Sequence, residues 1–219
     1  MLTVHHLNNS RSQRVLWLLE ELGLPYELVK YERDAKTSLA PPELQKIHPL
    51  GKSPVITDGA NTVAESAAIL EYIVETHGNG KLVPAAGTPD YRRCRYWMHY
   101  AEGSLMPLLL MRLITGRIRK APVLVRPIAK AIAGKIDGGF VMPNLNRHVA
   151  YLDAELAKSA FFAGDDLTIA DIQMSFPMEA IAARFPDPPA RVKDFVARIH
   201  ARPAFKRALD RGGPYDIMS

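Results

Sequence analysis

Residues 51–66 read GKSPVITDGANTVAES, and four side chains in them bear on chemistry. Pro54 opens the apolar run Val55-Ile56-Thr57 although it cannot donate a ladder hydrogen bond. A cis Ser53–Pro54 bond would turn the Ser53 N–H and C=O outward, where an extended peptide could pair with them as one more strand. An ordinary edge proline is the competing reading. Glu65-Ser66 then opens a helical run. Unpaired amides and the Ser66 hydroxyl at a helix start favour a carboxylate, while Glu65 offers a negative partner to an ammonium group. Simple capping of the helix by either residue is the alternative. Lys52 could meet a second carboxylate or lie solvated. Taken together, the features describe a site for a short peptide with a zwitterionic head, an extended middle and an anionic tail.

The elements around this stretch must position it. Leu2 to Leu7 is a short β-rich run that gives way at Asn8-Asn9-Ser10 to a helical period at residues 15, 18, 19 and 22, ended by Gly23 and Pro25. Tyr26 to Tyr31 alternates like a strand, and Leu39 to Ile47 reads as a short helix opened by Pro41-Pro42. Strands Pro54–Thr57 and Thr62–Ala64 flank the turn Asp58-Gly59-Ala60-Asn61, which is hairpin chemistry. A helix with Ile69, Leu70, Ile73 and Val74 on one face runs to Gly78. The order β-α-β-α-β-β-α in about 78 residues is that of an α/β thioredoxin-like N-terminal domain.

Residues 79–89, rich in glycine and proline, read as a linker, and residues 90–219 carry no convincing strand pattern. The expectation is an all-α helical-bundle C-terminal domain whose first long helix, Tyr91 to Arg119, is bent at Pro107. In Leu167-Thr168-Ile169-Ala170-Asp171-Ile172, Thr168 and Asp171 form a capping box and Leu167 staples onto Ile172, a helix start inside the core with a folding role.

The 219 residues are 47% hydrophobic and 23% charged, which argues for a soluble globular protein and against disorder. No secretory signal and no membrane-length apolar run is visible, so a cytoplasmic location is expected. One cysteine, Cys94, leaves no internal disulfide or Cys-x-x-Cys centre and no structural zinc site, and it reads as a core residue. Sulfur chemistry would therefore come from a ligand. The net charge is +5, but residues 112–147 hold eight cations against Asp137, a local +7 that leaves the remainder near −2. The chain is thus not a general nucleic-acid binder. The basic segment is either a solvated helix face or an anion-attracting rim beside a site.

The GKSP and AES motifs, the linker and the LTIAD box, at these distances and over nearly the whole chain, resemble the cytosolic glutathione transferases. The opening HHLNNSRSQRVLWLLEELGLPYE is similar to a bacterial and fungal subgroup with a serine near the start of the first helix. The resemblance implies glutathione as co-substrate with no permanent cofactor and no metal. It also implies a small electrophilic second substrate bound between the domains, a homodimer, and a role in detoxification. By match to the family motifs, Pro54 is the cis-proline, Ser53 the backbone partner of the cysteinyl unit, and Glu65 with Ser66 the holders of the γ-glutamyl end. Lys52 matches a position that often meets the glycyl carboxylate. His48 stands where the family more usually has Asn, and no role is carried to it.

The implied chemistry is attack by a glutathione thiolate on an electrophile. A free thiol with a pKa of roughly 8.5 is only a few per cent ionised at neutral pH, and lowering it by about two units requires roughly 2.7 kcal/mol of preferential thiolate stabilisation. Amides at the first helix start can supply part of that, with a hydroxyl donating to sulfur. Aligned on Arg14-Val15-Leu16, Asn9 takes the family's commonest catalytic position and Ser10 the next, where the similar subgroup keeps its serine. Ser10 is the expected activator; the Asn9 amide, the Arg11 charge and the Ser12 hydroxyl are the alternatives, and plain helix capping is the remaining one. Tyr96, His99, Tyr100, Met106 and Leu109 are expected to face the electrophile, or else to be core. Competing functions are glutathione-dependent peroxide or disulfide reduction, and a non-catalytic interaction module on the same scaffold.

Overall fold

A computed structural model describes residues 1–34, 36–213 and 215; the end of the expected helical domain, at 214 and 216–219, lies outside the described residues. Strand β1 (Leu2–Leu7) leads through an eleven-residue helix α1 (Ser12–Leu22) to β2 (Glu27–Tyr31). A short α2 (Glu43–Ile47), the hairpin β3 (Val55–Asp58) and β4 (Asn61–Ala64), and α3 (Ser66–Thr76) complete the first unit. The sheet order is β2-β1-β3-β4, with β1 parallel to β2 and antiparallel to β3. This is the expected thioredoxin-like arrangement.

Local chemistry explains most boundaries. Gly23 adopts the left-handed conformation that closes α1, its amide bonding the Leu19 carbonyl. The expected helix from Leu39 opens only at Glu43, because the residues before Pro41 and Pro42 are pushed away from helical angles. The hairpin is tighter than expected: Asp58 and Asn61 pair within the ladder, leaving Gly59-Ala60 as the turn.

From Pro89 onward the described elements are helical: α4 (Pro89–Tyr100), α5 (Met106–Ile118), α6 (Arg126–Ile136), α7 (Met142–Leu156), α8 (Ile169–Arg184), α9 (Ala190–Ala201) and α10 (Pro203–Gly212). The break in the expected long helix is a π-helical turn at Ala101–Leu105, in which the Met106 amide bonds the Ala101 carbonyl five residues back. A second π-helical turn at Asp137–Val141 joins α6 to α7 in the same way. Each turn is followed at once by a Met-Pro pair, Met106-Pro107 and Met142-Pro143. A proline ring clashes with the carbonyl four residues back in a regular helix, and the wider π turn supplies the room.

One continuous core joins the two parts, running from Val4, Leu16 and Trp17 to Trp97, Ile172 and Phe205. Asp171 is fully buried and accepts from the Phe162 and Thr168 amides, each at 2.8 Å, and from the Thr168 hydroxyl at 2.9 Å. Burial raises its carboxyl to about 6, and those donors restrain the rise. Helix α10 folds back on α1, where Arg202 grips both oxygens of Glu21 and Trp17 meets Phe205 edge-on. Cys94 is buried in the core, where burial pushes its thiol up.

Candidate active site

The sheet register brings the sequence-predicted residues to one end. Val55 pairs with both His5 and Ala64, so Ser53, just before β3, and Glu65, just after β4, lie at the end of the sheet where β1 delivers Asn8–Arg11. The Ser53 hydroxyl donates to the His5 carbonyl at 2.9 Å, pinning this segment to β1, and the Ser53–Pro54 peptide is cis. Ser53 precedes the first ladder residue of β3, so its backbone stands beyond the sheet pairing.

Glu65 has φ +71° and ψ 125°, outside the regions open to a residue with a β-carbon. Such a conformation costs about 1–3 kcal/mol and persists only where the surrounding structure holds it. It aims the chain into α3, whose first residue, Ser66, is 5% exposed, while the Glu65 carbonyl accepts the Ile69 amide at 2.9 Å. Lys52 is exposed.

At the start of α1, alternate side chains point opposite ways. Asn9 and Arg11 line a large cavity, whereas Ser10 and Ser12 are buried. Asn9 reaches this position with φ +48°, a left-handed angle that Asn tolerates. Arg33 clamps the loop from behind, its amide bonding the Asn8 side chain at 3.0 Å and its Nε the Asn8 carbonyl at 3.3 Å.

The two serines form a chain with His6. Ser10 Oγ accepts the Ser12 amide at 3.2 Å and lies 2.8 Å from Ser12 Oγ, which lies 2.8 Å from His6 Nδ1. The His6 ring also donates to the Gly212 carbonyl, and burial with Lys30 nearby lowers its pKa to about 4. His6 is therefore neutral at pH 7, with Nε2 as donor and Nδ1 as acceptor. The Ser12 hydroxyl therefore has two acceptors in reach, His6 Nδ1 at 2.8 Å and the Leu7 carbonyl at 3.3 Å, and the Ser10 hydroxyl is bonded to it. Glycine at 212 lets α10 approach closely, since a β-carbon there would stand 2.8 Å from Gln13 Oε1 and 3.3 Å from the His6 ring and the Gln13 side chain would have to shift.

The cavity, about 590 Å³, lies between this loop and helices α5, α7 and α8. Met106, Leu109, Leu113, Met142, Leu145 and Phe176 supply apolar wall, and Met106 and Leu109 were expected there. Tyr96, His99 and Tyr100 are not among the lining residues. Tyr96 and Tyr100 stack on each other beside Trp97 and Tyr151, Tyr100 is bonded to His148, and His99 is exposed. The π turn explains the split: its extra residue rotates α5 by about 100° relative to α4, so the 96–100 face does not continue into 106–113.

Sequence reasoning missed the carboxylates that organise this cavity. Glu102, in the first π turn, accepts from Arg11 Nε at 2.9 Å and Arg14 Nη1 at 3.0 Å. Burial opposes its ionisation, but Arg14 and Arg11 together hold its carboxyl below the usual range. Arg14 is 1% exposed, bonds Gln173 at 2.9 Å, and lies with Arg11 over the face of Phe176. Asp137, opening the second π turn, takes Arg112 and Arg119 together and accepts the Thr115 hydroxyl at 2.6 Å. The available signal was the parallel between EGSLMP and DGGFVMP, an acid four or five residues before Met-Pro.

Residues 1–75 match the glutathione S-transferase N-terminal domain and residues 137–203 the C-terminal domain. A curated relative, glutathione S-transferase 3 of Schizosaccharomyces pombe, is 34% identical, covering 96% of this chain and 88% of its own. The chain belongs to the glutathione S-transferase family. This transferase is also 33% identical to glutathione S-transferase 1 of Saccharomyces cerevisiae, across 82% of this chain and 80% of that one. A crystal structure of a glutathione S-transferase from Actinobacillus pleuropneumoniae has a TM-score of 0.79 at 28% identity, covering 99% of this chain and 95% of its own. Among the described residues of the transferase, no helix is long and apolar enough to cross a membrane, and no cluster of three or more His, Cys, Asp or Glu could hold a metal.

Proposed function

We propose that the protein binds glutathione along the Ser53–Ser66 end of the sheet and activates its thiol at the start of α1. The thiolate then attacks an electrophile held in the neighbouring cavity. Ser53 would pair through its backbone with the cysteinyl unit, Glu65 would take the γ-glutamyl ammonium and Ser66 its carboxylate, and Lys52 would meet the glycyl carboxylate. The observation that carries this reading is Glu65, a non-glycine residue held at positive φ between the hairpin and α3. A strained acid at a helix start has no folding advantage over glycine.

The thiolate is stabilised by the α1 amides, the Asn9 side chain and the charge of Arg11, the two side chains on the cavity side. Ser10, whose hydroxyl is engaged by Ser12, acts by positioning this loop. In the transfer step the thiol proton leaves to solvent, a carbon–sulfur bond forms and the leaving group departs with its bonding pair. We place the enzyme in the cytoplasm as a homodimer with a detoxifying role. Immobilised glutathione tests the first step: the wild type should be retained and released by free glutathione, and a Glu65→Ala/Ser66→Ala variant should flow through. Wild-type protein that is not retained would refute the reading.

A further inference from the structure

Six cationic side chains, Arg11, Arg112, Arg117, Arg119, Lys120 and Arg184, line the cavity, and among the described residues no carboxylate does. The two carboxylates behind them are each shared: Glu102 serves Arg11 and Arg14, and Asp137 serves Arg112 and Arg119. Each cluster of two guanidiniums and one carboxylate thus keeps a net positive charge. Arg119 Nε is buried without a hydrogen-bond partner among the described residues. Arg117, in the last turn of α5, and Lys120, in the turn that follows it, both line the cavity, are exposed and form no described ion pair.

A solvated helix face does not explain this arrangement. The cations at 112, 117, 119 and 120 converge with Arg11 and Arg184 on one apolar-walled space, while Lys130 and Lys135 of the same basic segment lie outside it. A cavity walled by Met, Leu and Phe lowers the local dielectric, so the uncompensated positive charge acts more strongly there than in water. None of Lys52, Ser53, Glu65 and Ser66 lines it, so these cations are not needed to hold the ends of the tripeptide.

We infer that the second substrate is an apolar electrophile bearing its own anionic group, an organic acid, whose carboxylate or sulfonate meets Arg117, Lys120 and the Arg112–Arg119 pair while its reactive carbon faces Asn9 and Arg11. This rests on the transferase reading above. With a chloroarene the glutathione thiolate forms the carbon–sulfur bond, the carbon–chlorine bond breaks, and chloride leaves with the electron pair.

The test compares a chlorodinitrobenzoate with its uncharged carboxamide, each kcat/KM divided by the rate with free glutathione thiolate. The wild type should prefer the acid by about tenfold, with the preference shrinking as salt rises. Arg117→Gln/Lys120→Gln should reduce that preference at least threefold, roughly what one or two exposed charge pairs supply. The charge-matched control Lys130→Gln/Lys135→Gln should leave it intact. Equal turnover of acid and amide, or an acid preference that survives loss of Arg117 and Lys120, overturns the inference while leaving the transferase reading standing. If neither compound is conjugated, calorimetric binding of the chlorine-free dinitrobenzoate and dinitrobenzamide decides separately: tighter, salt-sensitive binding of the acid supports the anion site, and equal binding refutes it.

Discussion

Arg11 Nε donates to Glu102 Oε1 at 2.9 Å, joining the loop after the first strand to the first π-helical turn of the helical domain across 91 residues of sequence. The same oxygen takes Arg14 Nη1, so a single carboxylate orients one arginine toward the cavity and pairs with another that is buried.

Glu102→Gln removes the charge that both guanidiniums share. Because Glu102 is itself about a third exposed, the expected cost is about 2 kcal/mol, below that of breaking a fully buried pair. A urea unfolding curve should show that loss, and kcat/KM should fall as Arg11 loses its orientation. Unchanged stability and activity would show that the pair holds nothing in place.

Glu65→Gly separates function from stability. Glycine at φ +71° carries no β-carbon penalty, so the variant should be more stable by about 1 kcal/mol while its KM for glutathione rises about tenfold. Thermal denaturation and steady-state kinetics on the same preparation check both halves. A less stable variant with unchanged KM would mean that Glu65 serves the fold.

His6 gives a pH signature. Its folded pKa, about 4, is below the ordinary 6.5, so the unfolded chain binds the extra proton first. The stabilising contribution is complete above pH 6.5 and is lost as pH falls toward 4, by about 3 kcal/mol at most. Asp171, raised to about 6, contributes with the opposite slope above 3.8, so the raw profile mixes the two. The check is the stability difference between wild type and His6→Gln, which should shrink as pH falls across this window. A flat difference would mean that His6 is not held neutral by the fold.

Much of this was legible in the sequence. Leu2–Leu7 reads as a strand because its β-rich run ends at a helix-starting Asn-Ser cluster, and α1 stops at the glycine that its period requires. The glutathione-site candidates are visible because they are adjacent in sequence to the turns that place them. The cavity was less legible, since the 96–100 face loses phase with 106–113 at a π turn that a 3.6-residue period cannot reveal. The sharing of Glu102 and Asp137 between arginines depends on contacts 18 to 91 residues apart. The basic segment was read as either a solvated face or a rim, and only the packing of α5 against α7 and α8 brings its arginines to a cavity.

Cavity-side and buried residues of the α1 loop should behave differently on substitution. Asn9→Ala and Arg11→Gln are expected to lower kcat/KM by about tenfold each, the scale of one hydrogen bond or charge aimed at sulfur. Ser10→Ala should instead cost stability by about 1 kcal/mol, through the lost bond to the Ser12 amide, with a smaller effect on thiol chemistry. The reverse pattern in kinetics and unfolding would make Ser10 the residue that touches the sulfur.

The most direct measurement is an ultraviolet thiolate titration of glutathione bound to the wild-type protein, with Asn9→Ala and Arg11→Gln alongside. The bound thiol should ionise about two pH units below the free value of roughly 8.5, and each variant should give back part of that shift. A bound thiol that titrates like free glutathione would contradict activation at the start of α1.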